Sequence, residues 1–221
     1  MSQAISRRRM LAVSAAVLGM AKLGPAYAAD PAPAKIQAFY DVLLAGMKNA
    51  KDLGVQGRYE KLAPVVRQTF DTPNMTRVAC GPSWSKIPAD KQQELIAAFE
   101  RMTTASYANQ FSDYSGQQFT VDPQTTPRNA DLIVHSQLQP ANGDPVTFNY
   151  LMRNVGGDWK AEDVYLDGTI SQLAVRRSEF TAILASEGAD GLLTKLKAQS
   201  DNLLKSACGP VRRLAGGFRR H

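Results

Sequence analysis

The 221-residue chain has 44% hydrophobic and 21% charged residues, a composition that excludes an intrinsically disordered protein and indicates a globular one. Its net charge of +6 comes from the two ends, because residues 1–28 hold four basic residues and no acidic one, and residues 209–221 hold four arginines. The part between them carries a net charge of about −2 and has no interleaved basic and aromatic motif, so we expect no nucleic-acid partner.

The first 28 residues have the organisation of a cleavable secretory signal peptide. Three arginines at Arg7–Arg9 precede a short apolar run over Met10–Met20, and Ala26-Tyr27-Ala28 matches the small-residue cleavage pattern. The apolar run is too short to span a bilayer. The arginines fit a twin-arginine export signal and a general secretory signal equally well. We therefore expect cleavage after Ala28 and an exported, soluble mature protein.

Apolar residues recur at helical spacing over residues 33–115. Ile36, Phe39, Leu43 and Met47, for example, fall on one helix face. In chain order we predict a helix from Pro33 that ends at Gly54–Gly57, short helices over 61–70 and 74–79, a turn over 80–84, and a long helix from Pro88 to Ser115–Gly116.

The pattern changes to a period of two over residues 117–167. Leu132, Val134 and Leu138 alternate with Ile133 and His135, as expected of a half-buried strand. Short turns separate four such segments, which predicts that they are antiparallel neighbours. Two helices follow over residues 170–206, separated at Gly188.

This order of elements predicts an α+β fold, in which helices cover one face of a curved antiparallel sheet of about four strands. We expect one domain over residues 29–208, followed by a basic tail over 209–221, and an apolar cavity between the helices and the sheet. The tail fits either a solvated end or a segment that docks on an anionic surface.

The two cysteines of the chain, Cys80 and Cys208, are both retained after signal cleavage. In an oxidising compartment such a pair favours a disulfide. This bond would close a loop of about 128 residues and stabilise the fold by roughly 4–5 kcal/mol on the chain-entropy account. Two unrelated buried thiols are the alternative.

The polar residues form no recognisable catalytic or metal-binding pattern. The two histidines are His135 and the terminal His221, and the sequence has no zinc spacing, phosphate loop or nucleophile elbow. The acidic stretch 158–167 contains Glu162 and Asp163, but strand alternation places these two on opposite faces, so without a bulge they cannot act as a pair. We expect Asp163 to pair with an arginine or cap a turn, and Glu162 to be solvated. We expect no enzyme, cofactor or metal.

Large apolar residues are more numerous than polar ones among the candidates for a ligand-binding site. Together they could line a wide cavity for a lipid, whose burial is favourable by about 0.8 kcal/mol per CH2 group. For any single one of them, ordinary core packing is the simpler interpretation. The candidate pocket residues are Phe70, Met75, Trp84, Phe99, Met102, Tyr107, Phe111, Phe148, Tyr150 and Trp159.

Residues 77–111 (RVACGPSWSKIPADKQQELIAAFERMTTASYANQF) and 145–184 (PVTFNYLMRNVGGDWKAEDVYLDGTISQLAVRRSEFTAIL) resemble the periplasmic MlaC family, also called toluene-tolerance proteins. The similarity runs over nearly all of residues 33–206. It implies a fold related to nuclear-transport-factor-2-like folds, a periplasmic location, and exchange of lipid between membrane transport complexes. We also expect a monomer. The strongest marks are Trp84, the Phe99–Tyr107 helix, Gly157-x-Trp159-Lys160, Asp163-Val164, Gly168 and Arg177-x-x-Phe180.

Departures from the family pattern bear on the cargo. Arg176 stands where the family has an aromatic residue, Glu162 replaces a tyrosine, and one residue is inserted between Gly168 and Arg176. The segments GPSW, YSGQQF and GTISQLA resemble the hopanoid-associated HpnM branch. The implied cargo is therefore a hopanoid or a phospholipid, with Arg176 as a further pocket residue. The alternative function is a lipid-modifying enzyme with Asp163 or His135 as its base.

Overall fold

In the computed structural model, which describes residues 31–205, helices precede and follow one antiparallel sheet. The predicted signal peptide (residues 1–28), the basic tail (209–221) and Cys208 lie outside the described residues. None of the helices within residues 31–205 combines the length and hydropathy needed to cross a bilayer.

The helices follow the predicted order, with two internal breaks. Gly54 and Gly188 have φ values of 60° and 68°, a left-handed conformation that favours glycine, and each interrupts a helix. The break at Gly188 confirms the predicted separation of two C-terminal helices. The helices are α1 (Pro31–Lys48), α2 (Ala50–Thr69), α3 (Thr72–Cys80), a 3-10 helix (Gly81–Lys86), α4 (Ala89–Gln110) and α5 (Gln172–Lys205).

Three predicted boundaries are wrong. After the break at Gly54, α2 runs through Gly57 to Thr69, so the separate short helix predicted over 61–70 is the second part of α2. The 3-10 helix occupies the place of the turn predicted over 80–84. Helix α4 ends at Gln110, five residues before the predicted Ser115. The fully buried Arg58 donates from Nε to the carbonyl oxygen of Ala108 at 2.9 Å, and so satisfies an acceptor in the last turn of α4 that lacks a helical partner.

The sheet has strand order β1-β2-β3-β4-β5, and every neighbouring pair is antiparallel. A fifth, two-residue strand is added to the four that the sequence predicts. The strands are β1 (Gln118–Arg128), β2 (Asp131–Gln139), β3 (Val146–Val155), β4 (Asp158–Leu166) and β5 (Ile170–Ser171).

The inner face of the sheet packs against the helices. Val134 of β2 lies opposite Tyr150 of β3, and both are buried, as is Met152. These residues join one hydrophobic core with the buried faces of α1, α2 and α4. The alternation predicted for β2 is confirmed, because Val134, Ser136 and Leu138 point inward.

A β-bulge in β4 overturns the predicted alternation of that strand. Asp163 pairs with Leu151, but the next pair along is Ala161 with Met152, so Glu162 is an extra residue on β4. As a result the four consecutive residues from Ala161 to Val164 are all buried. The prediction that Glu162 and Asp163 lie on opposite faces of a regular strand is therefore wrong.

Glu162 is not solvated, contrary to prediction. Its carboxylate accepts a hydrogen bond from the side-chain amide of Asn74 at 2.5 Å and pairs with Arg153 at 2.9 Å. The same Arg153 guanidinium also donates to both carboxylate oxygens of Asp131. Burial raises the pKa of Glu162 above its ordinary value, although the charge of Arg153 opposes this shift.

Candidate functional site

A cavity of about 260 Å³ lies between α4 and the inner face of the sheet. Aromatic and aliphatic side chains make up most of its wall, and the polar residues are neutral except for one arginine. The lining residues are Phe70, Met75, Phe99, Met102, Thr103, Ser106, Tyr107, Gln110, Phe111, Phe148, Val164, Leu166, Gln172, Leu173 and Arg176.

Helix α4 supplies one wall of the cavity from a single face. Its contributing residues repeat at intervals of three and one, which is the spacing that places side chains in one stripe along a helix. Ser106 lies in this stripe, and its hydroxyl donates to the carbonyl oxygen of Met102 at 2.8 Å. The hydroxyl is therefore satisfied within the helix, and the cavity does not have to supply a partner for it.

Strands β3 and β4 form the facing wall. Phe148 and Leu166 pair directly across the two strands, and Val164 lies opposite Tyr150. Because the bulge at Glu162 shifts the alternation by one residue, Ala161 faces the core before it, and Val164 and Leu166 face the cavity after it. The bulge thus determines which β4 residues reach the cavity.

Asp163 fixes the start of α5 beside the cavity. Its Oδ1 accepts from the backbone N–H groups of Val164 at 2.7 Å and Leu173 at 3.0 Å, and its Oδ2 accepts from the Ser171 hydroxyl at 2.5 Å. Ser171 Oγ in turn accepts from the N–H of Ala174. These contacts cap the first turn of α5 and bring Gln172 and Leu173 to the cavity edge.

Arg176 is the one charged side chain in the lining of this cavity. It lies one turn into α5, and its Nη1 pairs with Glu179 at 2.8 Å on the same helix. Its side chain is 30% exposed and that of Glu179 is 49% exposed, so the pair lies at the boundary between the cavity and solvent.

Three tyrosine hydroxyls and one serine form a buried chain that includes Tyr107 of the α4 wall. Ser136 donates to the carbonyl oxygen of Phe148 at 2.6 Å, and the Tyr40 oxygen lies 2.7 Å from Ser136 and 2.9 Å from the Tyr150 oxygen. Tyr150 also hydrogen-bonds with Tyr107. These contacts connect the hydroxyls of Tyr107, Tyr150, Tyr40 and Ser136 in one buried hydrogen-bonded network.

Burial raises the pKa of all three tyrosines in this chain. The value for Tyr40 rises to about 12, and the values for Tyr107 and Tyr150 also rise, because an apolar surrounding disfavours the phenolate. Phe39 packs against Tyr107 with ring centroids 5.0 Å apart and against Phe70 at 5.4 Å, both edge to face. The wall near Tyr107 is therefore a neutral, closely packed aromatic layer.

The two predicted catalytic bases do not line this cavity. Both oxygens of Asp163 are engaged in the α5 cap described above. His135 lies on the outer face of β2, where its ring nitrogens hydrogen-bond with Thr126 at 2.9 Å and Asn149 at 3.1 Å. It lines a separate polar pocket beside the β1 irregularity between Val121 and Thr125.

Within residues 31–205, no three His, Cys, Asp or Glu side chains cluster as metal ligands would. Cys80 is buried at the end of α3, and burial raises the pKa of its thiol to about 11. The disulfide between Cys80 and Cys208 stays a prediction, since Cys208 lies outside the described residues.

The family model described as MlaC protein matches residues 37–198, well over half of the chain. The chain belongs to the MlaC family. It is 24% identical over 154 residues to the toluene tolerance protein ttg2D of Pseudomonas putida, across 65% of this chain and 71% of that protein. It is also similar to the phospholipid-binding protein of Ralstonia solanacearum, solved in complex with a phospholipid. That similarity has a TM-score of 0.65 and 24% identity, and covers 79% of this chain and 99% of that one. The predicted α+β fold is thereby confirmed.

The cavity of this MlaC-family chain contains most of the predicted pocket residues but not three of the aromatics. Trp84 lies on the 3-10 helix and packs against the outside of the core. Tyr150 is buried behind the cavity wall in the hydroxyl chain. Trp159 lies near the start of β4, at the end away from Leu166. The predicted residues that do line the cavity are Phe70, Met75, Phe99, Met102, Tyr107, Phe111, Phe148 and Arg176.

Seven lining residues were missed by the sequence prediction. The α4 members could have been found from helical spacing, because they fall in the same stripe as Phe99 and Met102. Those of β4 and α5 could not, because their direction depends on the bulge and on the Asp163 cap. The missed residues are Thr103, Ser106, Gln110, Val164, Leu166, Gln172 and Leu173.

Proposed function

We propose that this MlaC-family protein is a periplasmic carrier that binds a membrane lipid in the apolar cavity and moves it between membranes or their transport complexes. The observation that carries the proposal is the cavity itself, whose wall is largely apolar and whose single charge is at its edge. Such a wall stabilises a hydrocarbon chain by about 0.8 kcal/mol per buried CH2 group without needing directional contacts.

The size of the cavity indicates that lipid loading requires it to widen. Its volume of about 260 Å³ lies below the range of roughly 300–1,000 Å³ that is typical for drug-sized ligands. A two-chain phospholipid and a pentacyclic hopanoid both exceed such ligands. The first half of α5 forms one edge of the cavity and ends at the Gly188 break, so it is the element we expect to shift when lipid enters.

Two lipid classes remain as cargo. The phospholipid bound to the Ralstonia solanacearum protein supports a phospholipid, and the GPSW, YSGQQF and GTISQLA segments support a hopanoid. Lipid-free protein can be incubated with vesicles that contain both a phospholipid and a hopanol, separated from them, and extracted for mass spectrometry. We expect one lipid per protein. Retention of neither lipid contradicts the carrier function.

We propose that the protein is not an enzyme. The enzyme alternative needs Asp163 or His135 beside the ligand, whereas Asp163 is engaged in the α5 cap and His135 lies on the other face of the sheet. Asp163→Asn tests this point, because a carrier keeps its cargo chemically unchanged when that carboxylate is neutralised.

Export and docking complete the proposal. We propose that the chain is exported with cleavage after Ala28 and works as a monomer, and N-terminal sequencing of the periplasmic protein tests the cleavage site. The arginines of the tail are proposed to assist docking at an anionic membrane surface, at about 1 kcal/mol per residue near that surface. Deletion of residues 210–221 is expected to weaken binding to anionic vesicles. Unchanged binding would assign no docking role to the tail.

A further inference from the structure

The first half of α5 has more basic than acidic side chains, and one of its arginines lines the cavity. Within residues 172–186, which begin α5, the charged residues are Arg176, Arg177 and Glu179. Arg176 reaches the cavity and pairs with the exposed carboxylate of Glu179. The Arg177 guanidinium packs against Gly81, and a methyl group added at Gly81 would lie 3.5 Å from Arg177 Nε. No carboxylate of residues 31–205 lies within 4 Å of the Arg177 guanidinium.

We propose that Arg176 selects a cargo whose headgroup has a net negative charge, by exchanging its partner Glu179 for that headgroup. A zwitterionic headgroup also contains a phosphate, but its ammonium group offsets the charge. This inference rests on the proposed function and specifies its substrate class. A guanidinium binds phosphate through two parallel hydrogen bonds, and these are stronger than bonds between neutral groups. Its place at the cavity edge suits a lipid whose chains lie inside and whose charged group stays at the opening.

The present partner of Arg176 is weak enough to be displaced. Glu179 lies three residues along the same helix, and exposed pairs of this kind contribute little because water and salt screen them. The other polar lining residues near the start of α5 and the end of α4 are neutral amides, Gln172 and Gln110. They can donate hydrogen bonds to phosphate or glycerol oxygens but cannot discriminate by charge. Among the lining residues, charge selectivity therefore falls to Arg176.

The first half of α5 has no competing source of positive potential that faces the cavity. Its first N–H groups would otherwise attract an anion, but Asp163 accepts from the N–H of Leu173 and Ser171 accepts from that of Ala174. The negative charge of Asp163 offsets this helix terminus. Substituting Arg176 should consequently remove most of the preference for an anion.

The test is lipid capture from vesicles with equal amounts of phosphatidylglycerol and phosphatidylcholine that share the same acyl chains. The lipid bound to the reisolated protein is quantified by mass spectrometry. We expect the wild type to enrich the anionic lipid about three- to tenfold, as a partly exposed charge-assisted contact allows. Arg176→Gln should bring the ratio close to one, Arg176→Lys should keep most of the enrichment, and Glu179→Gln should increase it.

Arg101→Gln is the matched control, because Arg101 also pairs with a carboxylate of α5, Asp201 at 2.8 Å, but does not line the cavity. It should retain the wild-type enrichment. An equal loss in Arg101→Gln would assign the preference to overall charge and overturn the proposal. The proposal is also overturned if the wild type does not enrich the anionic lipid, or if Arg176→Gln keeps the wild-type enrichment. Failure to retain either lipid would instead contradict the carrier function itself.

Inorganic phosphate has the same chemistry as the lipid phosphate but no acyl chains. A separate measurement therefore tests whether Arg176 binds the free anion. Millimolar phosphate added to lipid-free protein is expected to leave the midpoint of thermal unfolding unchanged. Stabilisation by phosphate alone that disappears in Arg176→Gln would reassign the site to the free anion and overturn the assignment to a lipid headgroup.

Discussion

Asp163 Oδ1 accepts a hydrogen bond from the backbone N–H of Leu173 at 3.0 Å, and this contact joins β4 directly to the helix at the cavity edge. Leu173 lines the cavity, and so does Val164, the residue that follows Asp163. The contact therefore lies beside the cavity. The carboxylate that first suggests acid–base chemistry in the sequence is therefore a cap that positions the wall of a binding cavity.

Neutralising Asp163 tests its structural role. Asp163→Ala removes the acceptor for two N–H groups and one hydroxyl, so we expect the free energy of unfolding to fall by about 2 kcal/mol. Asp163→Asn keeps one acceptor oxygen and should cost about half as much. Urea unfolding measures both. The lipid extracted from the Asn variant should be chemically identical to that extracted from the wild type. If the Asn variant instead holds a different lipid, as an unconverted substrate would be, the enzyme alternative is supported.

Filling the cavity should block binding without unfolding the protein. Ser106→Phe places an aromatic ring into the space beside α4, and we expect retained lipid to fall at least tenfold while stability changes by about 1 kcal/mol or less. Ser186→Phe is the matched control. Its hydroxyl makes the same type of bond, to Ala182 at 3.0 Å, but it lies on an exposed part of α5. Equal lipid retention by the two variants would contradict the assignment of the cavity.

The buried tyrosine chain predicts a loss of stability in alkali. Tyr40, Tyr107 and Tyr150 keep their protons in the folded protein above pH 10, where the unfolded chain releases them, so the folded state is disfavoured as pH rises. Each such tyrosine lowers the free energy of unfolding by about 1.4 kcal/mol per pH unit between pH 10 and its folded pKa. Urea unfolding between pH 9 and about 12 measures the slope.

Tyr40→Phe should reduce that slope by about one proton. Tyr165→Phe serves as the control, since its hydroxyl accepts from Arg128 at 2.7 Å and does not belong to the chain. Tyrosinate absorbance should show that the three buried phenols ionise only on unfolding. Their ionisation in the folded protein near pH 10 would contradict the burial described above.

The raised pKa of Glu162 predicts that the free energy of unfolding also depends on pH in the acidic range. Its folded pKa is raised above the ordinary 4.5, so the protonated form is favoured in the folded state and stability falls as pH rises through the interval between the two values. Asp158, whose pKa is lowered by its hydrogen bond with Lys35, acts in the opposite direction at lower pH. Glu162→Gln should flatten the profile above pH 4.5, as measured by urea unfolding at a series of pH values. An unchanged profile in this variant would contradict the role assigned to Glu162.

Much of the fold could be predicted from periodicity. The stripe of α4, the alternation of β2 and the helix break at Gly188 all follow from local sequence, because each depends on side-chain spacing or on the backbone freedom of one glycine. The family resemblance stated from residues 77–111 and 145–184 is confirmed by the match over 37–198.

The details of the site could not be predicted, because they depend on partners distant in sequence. The bulge at Glu162 is accompanied by contacts with Asn74 and Arg153, neither of which is signalled near residue 162. An aromatic residue that packs in the core also cannot be distinguished by its sequence pattern from one that lines the cavity. Tyr150 and Phe148 lie on the same face of β3, yet only Phe148 reaches the cavity. Which residue lines a space is decided by packing between elements.

The mass of the lipid that accompanies the protein tests the central claim most directly. Full-length chain should be expressed with its export signal, recovered from the periplasm without detergent, and measured by native mass spectrometry and by solvent extraction. We predict one phospholipid or hopanoid per protein, which is lost in Ser106→Phe and retained in Ser186→Phe. Protein that is uniformly free of lipid, and that takes none from vesicles, would contradict the proposal that the cavity carries a membrane lipid.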